Sequence, residues 1–355
     1  MSEDQSLVVD EAAFTDLAEK HRRELQVHCY RMLGSIEDSE DLVQETFLRA
    51  WKKRDTYQGR ATFRAWLYRI ATNACLDFLS ANPRRPVPRK VVGGTTRHDF
   101  PDEIPWLQPI PGGLIEPPTE GSAGPDAVVV AKETIELAFI AAIQYLPPKQ
   151  RSVLLLRDVL GYPAKDTSDI LGTSVISVNS ALQRARATLK QRLPSRRAEW
   201  QAGEDPSAAE RRLVKRYIDV MERGDLTTVA QAMADLMAED VRVTMPPLPL
   251  FYADRQEFYT GVSAYLDPAS PLYAGQWRSV PTRANLQPAV AHYVRPPGAA
   301  AFEAQVLDVL RVEDGLIVEI TAFDPHLFPR FGLPLVLPNR PLTLAEATLV
   351  VPERP

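Results

Sequence analysis

The sequence predicts a multidomain protein in which two all-α modules precede a smaller α+β domain. Three observations support this prediction. Apolar residues recur with helical spacing through residues 10–82 and again through residues 126–197. Prolines and glycines interrupt the intervening residues 83–125. Strand-like runs begin only after about residue 206, and the 355 residues are enough for two or three domains.

The composition excludes several classes of protein. With 45% hydrophobic and 25% charged residues, the chain matches an ordinary soluble globular protein. Both cysteines, Cys29 and Cys75, lie within helical patterns, so neither a disulfide framework nor a zinc cluster is expected. We predict no metal site and no cofactor. No apolar run reaches the ~18 residues of a membrane helix, and the acidic start lacks the basic residues of a signal peptide. We therefore expect a cytoplasmic protein.

The first module, residues 10–82, is predicted to be a helical bundle. Apolar residues keep a 3.6-residue period up to Met32, and Gly34 ends that helix. Ser35 followed by Asp38 predicts a capped second helix. After a polar break at residues 54–60, a third helix presents an apolar stripe.

Residues 83–125 are predicted to be an extended, acidic linker. Residues 91–126 hold one basic and six acidic residues, and their prolines disfavour regular helices and central strands. Residues 104–107 (IPWL) are too apolar for a free tether, so we expect them to dock on a protein surface. For the first third of the linker, a disordered tether is an equally good interpretation.

The second module, residues 126–197, has the pattern of a helix-turn-helix. A short helix over residues 164–171, a turn containing Gly172 and a long helix from Val175 follow one another. Residues 127–198 hold 11 basic and five acidic residues, which favours binding to phosphates. The expected core side of the long helix consists of Val178, Leu182, Ala185 and Leu189.

Residues 206–335 are predicted to be an α+β domain followed by a tail, residues 336–355. An amphipathic helix precedes five strand-like runs, and the last two runs flank Glu313-Asp314-Gly315, which is typical of a hairpin turn. Residues 199–355 hold 14 basic and 21 acidic residues, a charge opposite to that of the helix-turn-helix.

Four segments together resemble the extracytoplasmic-function group of bacterial RNA polymerase sigma factors. They are residues 38–47 (DSEDLVQETF), 63–73 (FRAWLYRIATN), 146–151 (LPPKQR) and 177–186 (SVNSALQRAR). The match covers about residues 10–80 and 126–193. The resemblance implies that the first module is sigma region 2, that the second is region 4, and that the linker threads channels of the polymerase.

The resemblance implies that an acidic helix face of region 2 binds the β and β′ subunits of core RNA polymerase. Carboxylates beside apolar residues suit a partner with basic groups around an apolar spot. Without the remaining motif, a solvated acidic face would be the simpler interpretation. The residues expected to form this face are Asp38, Asp41, Leu42, Gln44, Glu45 and Phe47.

The next loop and helix resemble the part of region 2 that recognises and melts the proximal promoter element. Melting requires a pocket or stacking surface for an unpaired base. Trp66 is more readily explained as a core residue than as a stacking platform. The residues expected to contact DNA are Tyr57, Gly59, Arg60, Thr62, Phe63, Arg64, Arg69 and Asn73.

Region 4 would read the distal promoter element as duplex DNA. Asparagine suits adenine, arginine suits guanine, and further cations suit phosphates. Thr167 departs from the family pattern, which places an aliphatic residue there, so we expect weaker packing. The residues expected to contact DNA are Ser174, Ser177, Asn179, Ser180, Gln183, Arg184, Arg186 and Lys190.

The order of its elements, together with residues 243–247 (VTMPP) and 315–320 (GLIVEI), makes the segment 206–335 resemble the SnoaL-like α+β cone domains, which are related to nuclear-transport-factor-like proteins. This resemblance implies regulation of the sigma modules in cis, through a small ligand, a regulatory protein or direct docking. Candidate pocket residues are Asp240, Arg242, His292 and Asp324, with His326 nearby. They have no recognised catalytic spacing, so we expect no enzyme. Two alternatives remain: a helix-turn-helix regulator that acts without polymerase, and a SnoaL-like enzyme fused to a DNA-binding arm.

Overall fold

The structure of the chain, a computed structural model, consists of two compact units. The structure describes residues 11–57, 62–87, 102–115, 135–193, 208–223, 226–246, 248 and 250–339. The first unit holds the described residues of Met1–Pro86, Trp106–Gln108 and Leu114–Trp200. The second unit holds those of Val87–Pro105, Pro109–Gly113 and Gln201–Pro355. None of the described helices is long and apolar enough to cross a membrane.

The first three helices of the first unit form the predicted bundle. They are α1 (Glu11–Leu33), α2 (Ile36–Lys52) and α3 (Phe63–Ala81). Gly34 has a φ of 71° and ends α1, and the Ser35 hydroxyl accepts from the Asp38 N–H, so the stop and the cap are both confirmed. Thr62 caps α3 in the same way, through the N–H of Ala65.

Four further α-helices lie in the described part of the first unit. They are α4 (Leu137–Gln144), α5 (Pro148–Leu154), α6 (Ala164–Leu171) and α7 (Val175–Arg192), and α5 continues as a π-helical turn over Leu155–Val159. Gly172 adopts the left-handed conformation at the end of α6, and Ser174 caps α7 by accepting from the Ser177 N–H. The predicted helix-turn-helix is thus present, with its turn where the sequence placed it.

Arg151 of α5 joins several helix ends inside the first unit. Its fully buried guanidinium donates to the carbonyls of Ile143 at 2.9 Å and Leu146 at 3.1 Å. It also donates to the carbonyl of Met32 at the end of α1 and to both the side chain and the carbonyl of Gln144. Burial lowers the pKa of Arg151 to about 9, so the group stays protonated at neutral pH.

The second unit is a helix-covered sheet, as the predicted α+β class requires. Its helices are α8 (Ala208–Arg223), α9 (Leu226–Leu236) and α10 (Arg255–Leu266). Its strands are β1 (Met237–Met245), β2 (Leu250–Tyr252), β3 (Gln276–Ala284), β4 (Gln287–Arg295), β5 (Ala301–Glu313), β6 (Leu316–Phe323) and β7 (Val336–Pro338).

The sheet runs in the order β2-β1-β6-β5-β4-β3, and β7 pairs with the start of β5. All its pairs are antiparallel except β1 with β6. Asp314 and Gly315 have φ values of 51° and 76°, which confirms the hairpin turn between β5 and β6. The sequence analysis did not identify α9, α10, β2 or β7. Strand β7 consists of Val336–Pro338, so the first residues of the predicted tail belong to the sheet.

The described parts of the linker, residues 83–87 and 102–115, are more ordered than their proline content predicts. Val87 and Glu103 form an isolated antiparallel bridge, and Gly112–Ile115 makes one helical turn. Ile104 and Leu107 are buried, as expected for a segment that docks. Prolines prevent a long helix or a central strand, but they permit single bridges and turns of this kind.

Candidate functional site

The acidic face of α2 exposes Asp41 and Gln44, two of the residues predicted to bind polymerase. Leu48, which the sequence analysis missed, lies one turn beyond Gln44 and is 56% exposed. Glu45 is half-buried and accepts from Arg49 at 2.7 Å. Residues spaced by three, four and seven share one side of a helix, so Asp41, Gln44, Glu45 and Leu48 form one surface. We call these four residues the α2 face.

Three other residues predicted for this face have different environments. Leu42 is 8% exposed and belongs to the bundle core, because its position in the helical period faces α1 and α3. Asp38 is half-buried and pairs with Arg84, with 2.6 Å between Oδ2 and Nη2. Phe47 is half-buried beneath the guanidinium of Arg22, 4.8 Å from the ring centroid. The prediction that Leu42 contacts a partner is therefore corrected.

An aromatic cluster lies where α3 begins. Tyr57 and Phe63 are buried, and their ring centroids are 5.7 Å apart. Trp66 is half-buried and contacts both rings, at 5.4 Å and 5.5 Å. Tyr57 and Phe63 thus form the buried part of the cluster, so the prediction that they contact DNA directly is corrected. Trp66 forms the accessible edge of the cluster. Gly59 and Arg60 lie outside the described residues.

The polar residues of α3 divide into a paired and an accessible group. Arg64 donates to Glu24 at 2.7 Å. Burial lowers the pKa of Arg64, but the electrostatic interactions with Tyr68 and Glu24 and the hydrogen bond to Glu24 outweigh it, so the pKa is raised. Thr62, Arg69 and Asn73 are exposed. Arg69 and Asn73 are one turn apart and adjoin Trp66 on the same side of α3. This arrangement can offer a ring edge, a cation and an amide to an unpaired base.

All the residues predicted for the distal DNA site are exposed. The predicted core side of α7 is buried, and the other side carries the candidates Ser174, Ser177, Asn179, Ser180, Gln183, Arg184, Arg186 and Lys190. Between Val175 and Arg192 the helix carries no acidic residue. Arg186 binds Asp158 at 2.7 Å and 2.8 Å, and this hydrogen bond raises its pKa. Arg186 therefore has a carboxylate partner that a phosphate would have to replace.

The predicted pocket of the second unit does not assemble. Side chains alternate between the faces of a strand, so Arg242 lies opposite the buried Val241 and Val243, and Asp240 is exposed. Asp324 caps a 3₁₀ helix, Pro325–Phe331, where it accepts from the His326 N–H and ring. Only His292 of the four candidates is buried in the core. The prediction that Asp240, Arg242 and Asp324 line a common pocket is therefore corrected.

His292 belongs instead to a buried network that sequence spacing does not reveal. His292 Nε2 lies 3.1 Å from Asp308 Oδ2, and Tyr217 donates to the same oxygen at 2.7 Å. Ser279 Oγ lies 2.8 Å from His292 Nδ1. Burial, and then the Asp308 carboxylate, raise the pKa of Tyr217. We call Tyr217, Ser279, His292 and Asp308 the His292 network.

The network's members come from α8, β3, β4 and β5, and the β3–β4 register places Ser279 directly opposite His292. The sequence signal that could have indicated this network is that His292 and Asp308 are polar residues within otherwise apolar strand segments. Both nitrogens of His292 are engaged, so the network satisfies the hydrogen-bonding groups of a buried imidazole.

Three protein families match this chain in order: sigma-70 region 2 over residues 17–85, sigma-70 region 4 over residues 136–189, and a SnoaL-like domain over residues 214–320. The extracytoplasmic-function (ECF) RNA polymerase sigma factor SigG of Mycobacterium tuberculosis H37Rv is 39% identical over 326 residues, which cover 90% of this chain and 84% of SigG. SigJ of the same strain is 32% identical over 215 residues, covering 60% and 59%.

A solved structure shows the same fold. The crystal structure of M. tuberculosis SigJ superposes with a TM-score of 0.56 at 22% identity, and the match covers 90% of this chain and 99% of that one. The shared fold extends over both helical modules and the sheet domain.

Proposed function

Because this chain belongs to the extracytoplasmic-function family of RNA polymerase sigma factors, we propose that its first unit binds core polymerase and two promoter elements through three separate surfaces. It is a transcription initiation factor. The single observation that supports the division of labour best is the separation of the α2 face, the Trp66 edge and the exposed side of α7 on different helices.

The α2 face is proposed to bind the β and β′ subunits. Asp41 and Gln44 supply an acidic and an amide group, and Leu48 supplies an exposed apolar spot beside them. An exposed apolar side chain within a polar rim is the composition of a protein interface centre. Asp38 contributes less, because Arg84 already binds its carboxylate.

Promoter melting is proposed to use the accessible edge of the aromatic cluster. Stacking of one base on an aromatic side chain is worth about 1–3 kcal/mol, which offsets the loss of pairing. Trp66 offers the ring, while Arg69 and Asn73 offer groups for phosphate and base edges. Region 4 then reads duplex DNA with α7.

A run-off transcription assay with purified core polymerase tests this proposal. Addition of the chain should give a promoter-specific transcript, and Asp41→Lys should reduce both polymerase association and transcript about tenfold through charge reversal at the interface. Glu239→Lys, an exposed acidic residue of the second unit, is the matched control and should change neither. Binding of promoter DNA with no transcript would favour the rival helix-turn-helix regulator.

The second unit is proposed to regulate the sigma modules in cis through the linker. Within this unit, the Ile110 N–H donates to Asn285 Oδ1 at 3.0 Å, and the Asn285 N–H donates to the Ile110 carbonyl at 2.9 Å. Pro111 forms a bridge with Ala284 of β3. The linker that joins the two sigma modules is therefore held by the β3–β4 turn.

The variant Asn285→Gly tests this regulation. Asn285 has a φ of 54°, which glycine also adopts, so the change removes the side-chain acceptor without straining the turn. Loss of one buried hydrogen bond, about 1 kcal/mol, should release the linker and raise run-off transcription about fivefold. Asp314→Gly, another residue of positive φ in a hairpin turn, is the control. Equal transcription from both variants would contradict the proposal.

We further propose that the second unit is not an enzyme and that the protein acts in the bacterial cytoplasm, where polymerase and promoter DNA are found. The His292 side chain is fully buried and both its ring nitrogens are engaged, so it is poorly placed to exchange protons with a substrate. A turnover that Asp308→Asn abolished would instead favour the SnoaL-like enzyme alternative. A small ligand or regulatory protein that binds this unit would act through the same linker contact.

A further inference from the structure

The exposed side of α7, which is proposed to bind DNA, begins with an apolar residue, Ile176. The sequence analysis considered only the polar residues of this side. Ile176 is 78% exposed, more than any other large hydrophobic residue in the described part of the chain. It occupies the first turn of α7, immediately after the cap at Ser174. Asn179 and Ser180 lie three and four residues further on, so Ile176 is at the head of their surface.

Packing among the described residues of the first unit does not account for this exposure. The buried side of α7, which begins at Val178, packs on the other helices of region 4. A β-branched residue also has a lower helix propensity than alanine, so position 176 gains no local stability from isoleucine. The side chain is therefore available for a partner outside the fold.

The electrostatics of α7 favour DNA over protein as that partner. All charges from Val175 to Arg192 are positive, and Arg184 and Lys190 are both exposed. A recognition helix enters the major groove with its N-terminal residues against base edges. The thymine C5-methyl group is the apolar group that the four bases present there.

We propose that Ile176 is a specificity-determining residue that contacts a thymine methyl group of the distal promoter element. This proposal rests on the proposed function and adds one residue, one base and one chemical group to it. Asn179 and Ser180 then read the neighbouring bases by hydrogen bonding, and Ile176 rejects cytosine at its own position because cytosine carries no methyl group.

Uracil scanning of the promoter tests this contact. The holoenzyme, assembled from core polymerase and the full chain, first selects its preferred distal element from a pool of promoters randomised there. Each thymine of that element is then replaced singly by deoxyuridine, which lacks only the methyl group. At one position, wild-type promoter affinity should fall about three- to fivefold, the effect of one buried methyl group.

The variant Ile176→Ala should remove the sensitivity at that position and keep any sensitivity at other thymines. Gln191→Ala, a change at an exposed residue in the last turn of α7, is the matched control and should keep the wild-type pattern. Both residues are exposed, and unchanged thermal melting confirms that each variant folds.

Three results of the DNA experiments would overturn the inference: a selected element without thymine, a flat uracil scan with the wild type, or an Ile176→Ala holoenzyme with the wild-type scan. If Ile176→Ala instead weakens association with core polymerase in the absence of DNA, the residue binds protein and the inference is also wrong. Absence of any promoter-specific transcript from the wild type would refute the proposed function itself, together with this contact. The two failures are thus distinguishable.

Discussion

Arg84 Nη2 lies 2.6 Å from Asp38 Oδ2, and both side chains are largely shielded from solvent. The pair fastens the chain after α3 to the first turn of α2. Since both partners are partly buried, we expect a coupling free energy of about 1 kcal/mol in a double-mutant cycle of Arg84→Ala and Asp38→Ala, measured by urea unfolding. Glu19 and Arg22, a more exposed pair, should give a smaller coupling. Equal coupling in the two cycles would show that shielding has no effect.

Arg186 should contribute to DNA affinity through charge alone. Arg186→Ala removes a phosphate contact, so it should weaken binding of all promoter sequences alike and reduce the salt slope of log affinity by about one. Asp158→Asn should raise affinity, because Asp158 no longer competes with phosphate for the guanidinium. Titrations of the holoenzyme at several salt concentrations measure both. A sequence-dependent loss would indicate a base contact instead.

Thr167→Val should stabilise the first unit. Thr167 is fully buried in α6, and no described residue pairs with its hydroxyl. Valine has the same shape without the hydroxyl, so the free energy of unfolding should rise by about 1 kcal/mol. Ser168→Ala is the control, since the Ser168 hydroxyl donates to the Lys165 carbonyl at 2.6 Å and its loss should not stabilise. Urea unfolding of the full chain compares the two, and a stabilised Ser168→Ala would contradict this account.

Acidification should destabilise the first unit through His28. Complete burial, and then the charge of Arg31, lower the pKa of His28 to about 3. The unfolded imidazole binds a proton below about pH 6.5 and the folded one does not, so stability falls with pH between about 6.5 and 3. By pH 5 this loss amounts to about 2 kcal/mol relative to pH 7.

The variant His28→Gln checks this pH dependence. It should lose about 2 kcal/mol less than the wild type between pH 7 and pH 5, measured by urea unfolding at both values. His326→Gln, a change at an exposed histidine, should leave the wild-type dependence in place. Parallel curves for His28→Gln and wild type would rule out His28 as the cause.

Asp308 and Asp324 should differ sharply in their effect on stability. Asp308→Ala leaves Tyr217 Oη and His292 Nε2 without their shared acceptor in the core, so the free energy of unfolding should fall by about 3 kcal/mol. Asp324→Ala removes only an exposed cap and should lower it by about 1 kcal/mol or less. Unfolding followed by the second unit's fluorescence measures both, and similar losses would mean that the His292 network adds little.

Local sequence signals predicted the helix-turn-helix well. Its caps, its turn glycine and its 3.6-residue period are all set by neighbours within four positions, so the buried and exposed sides of α7 follow from spacing alone. Leu42 and Leu48 show the limit of such reasoning on α2. Both fit an apolar pattern, and only packing against α1 and α3 shows that the first is core and the second is surface.

The site of the second unit could not be predicted in the same way. His292 and Asp308 meet because β4 and β5 pair His292 with Val306 and Val290 with Asp308, which makes them diagonal neighbours on one face, and Tyr217 reaches them from a helix about 90 residues earlier. Register and long-range packing have no signature in residue spacing. Asp240 and Arg242 looked suitable by type, but strand alternation separates them from the core.

The buried guanidinium of Arg151 has a consequence for how the two sigma modules part. Its acceptors belong to both, because Met32 lies at the end of α1 and the others lie around α4. Movement of one sigma module away from the other would therefore break these hydrogen bonds and expose the positive charge of Arg151 to water.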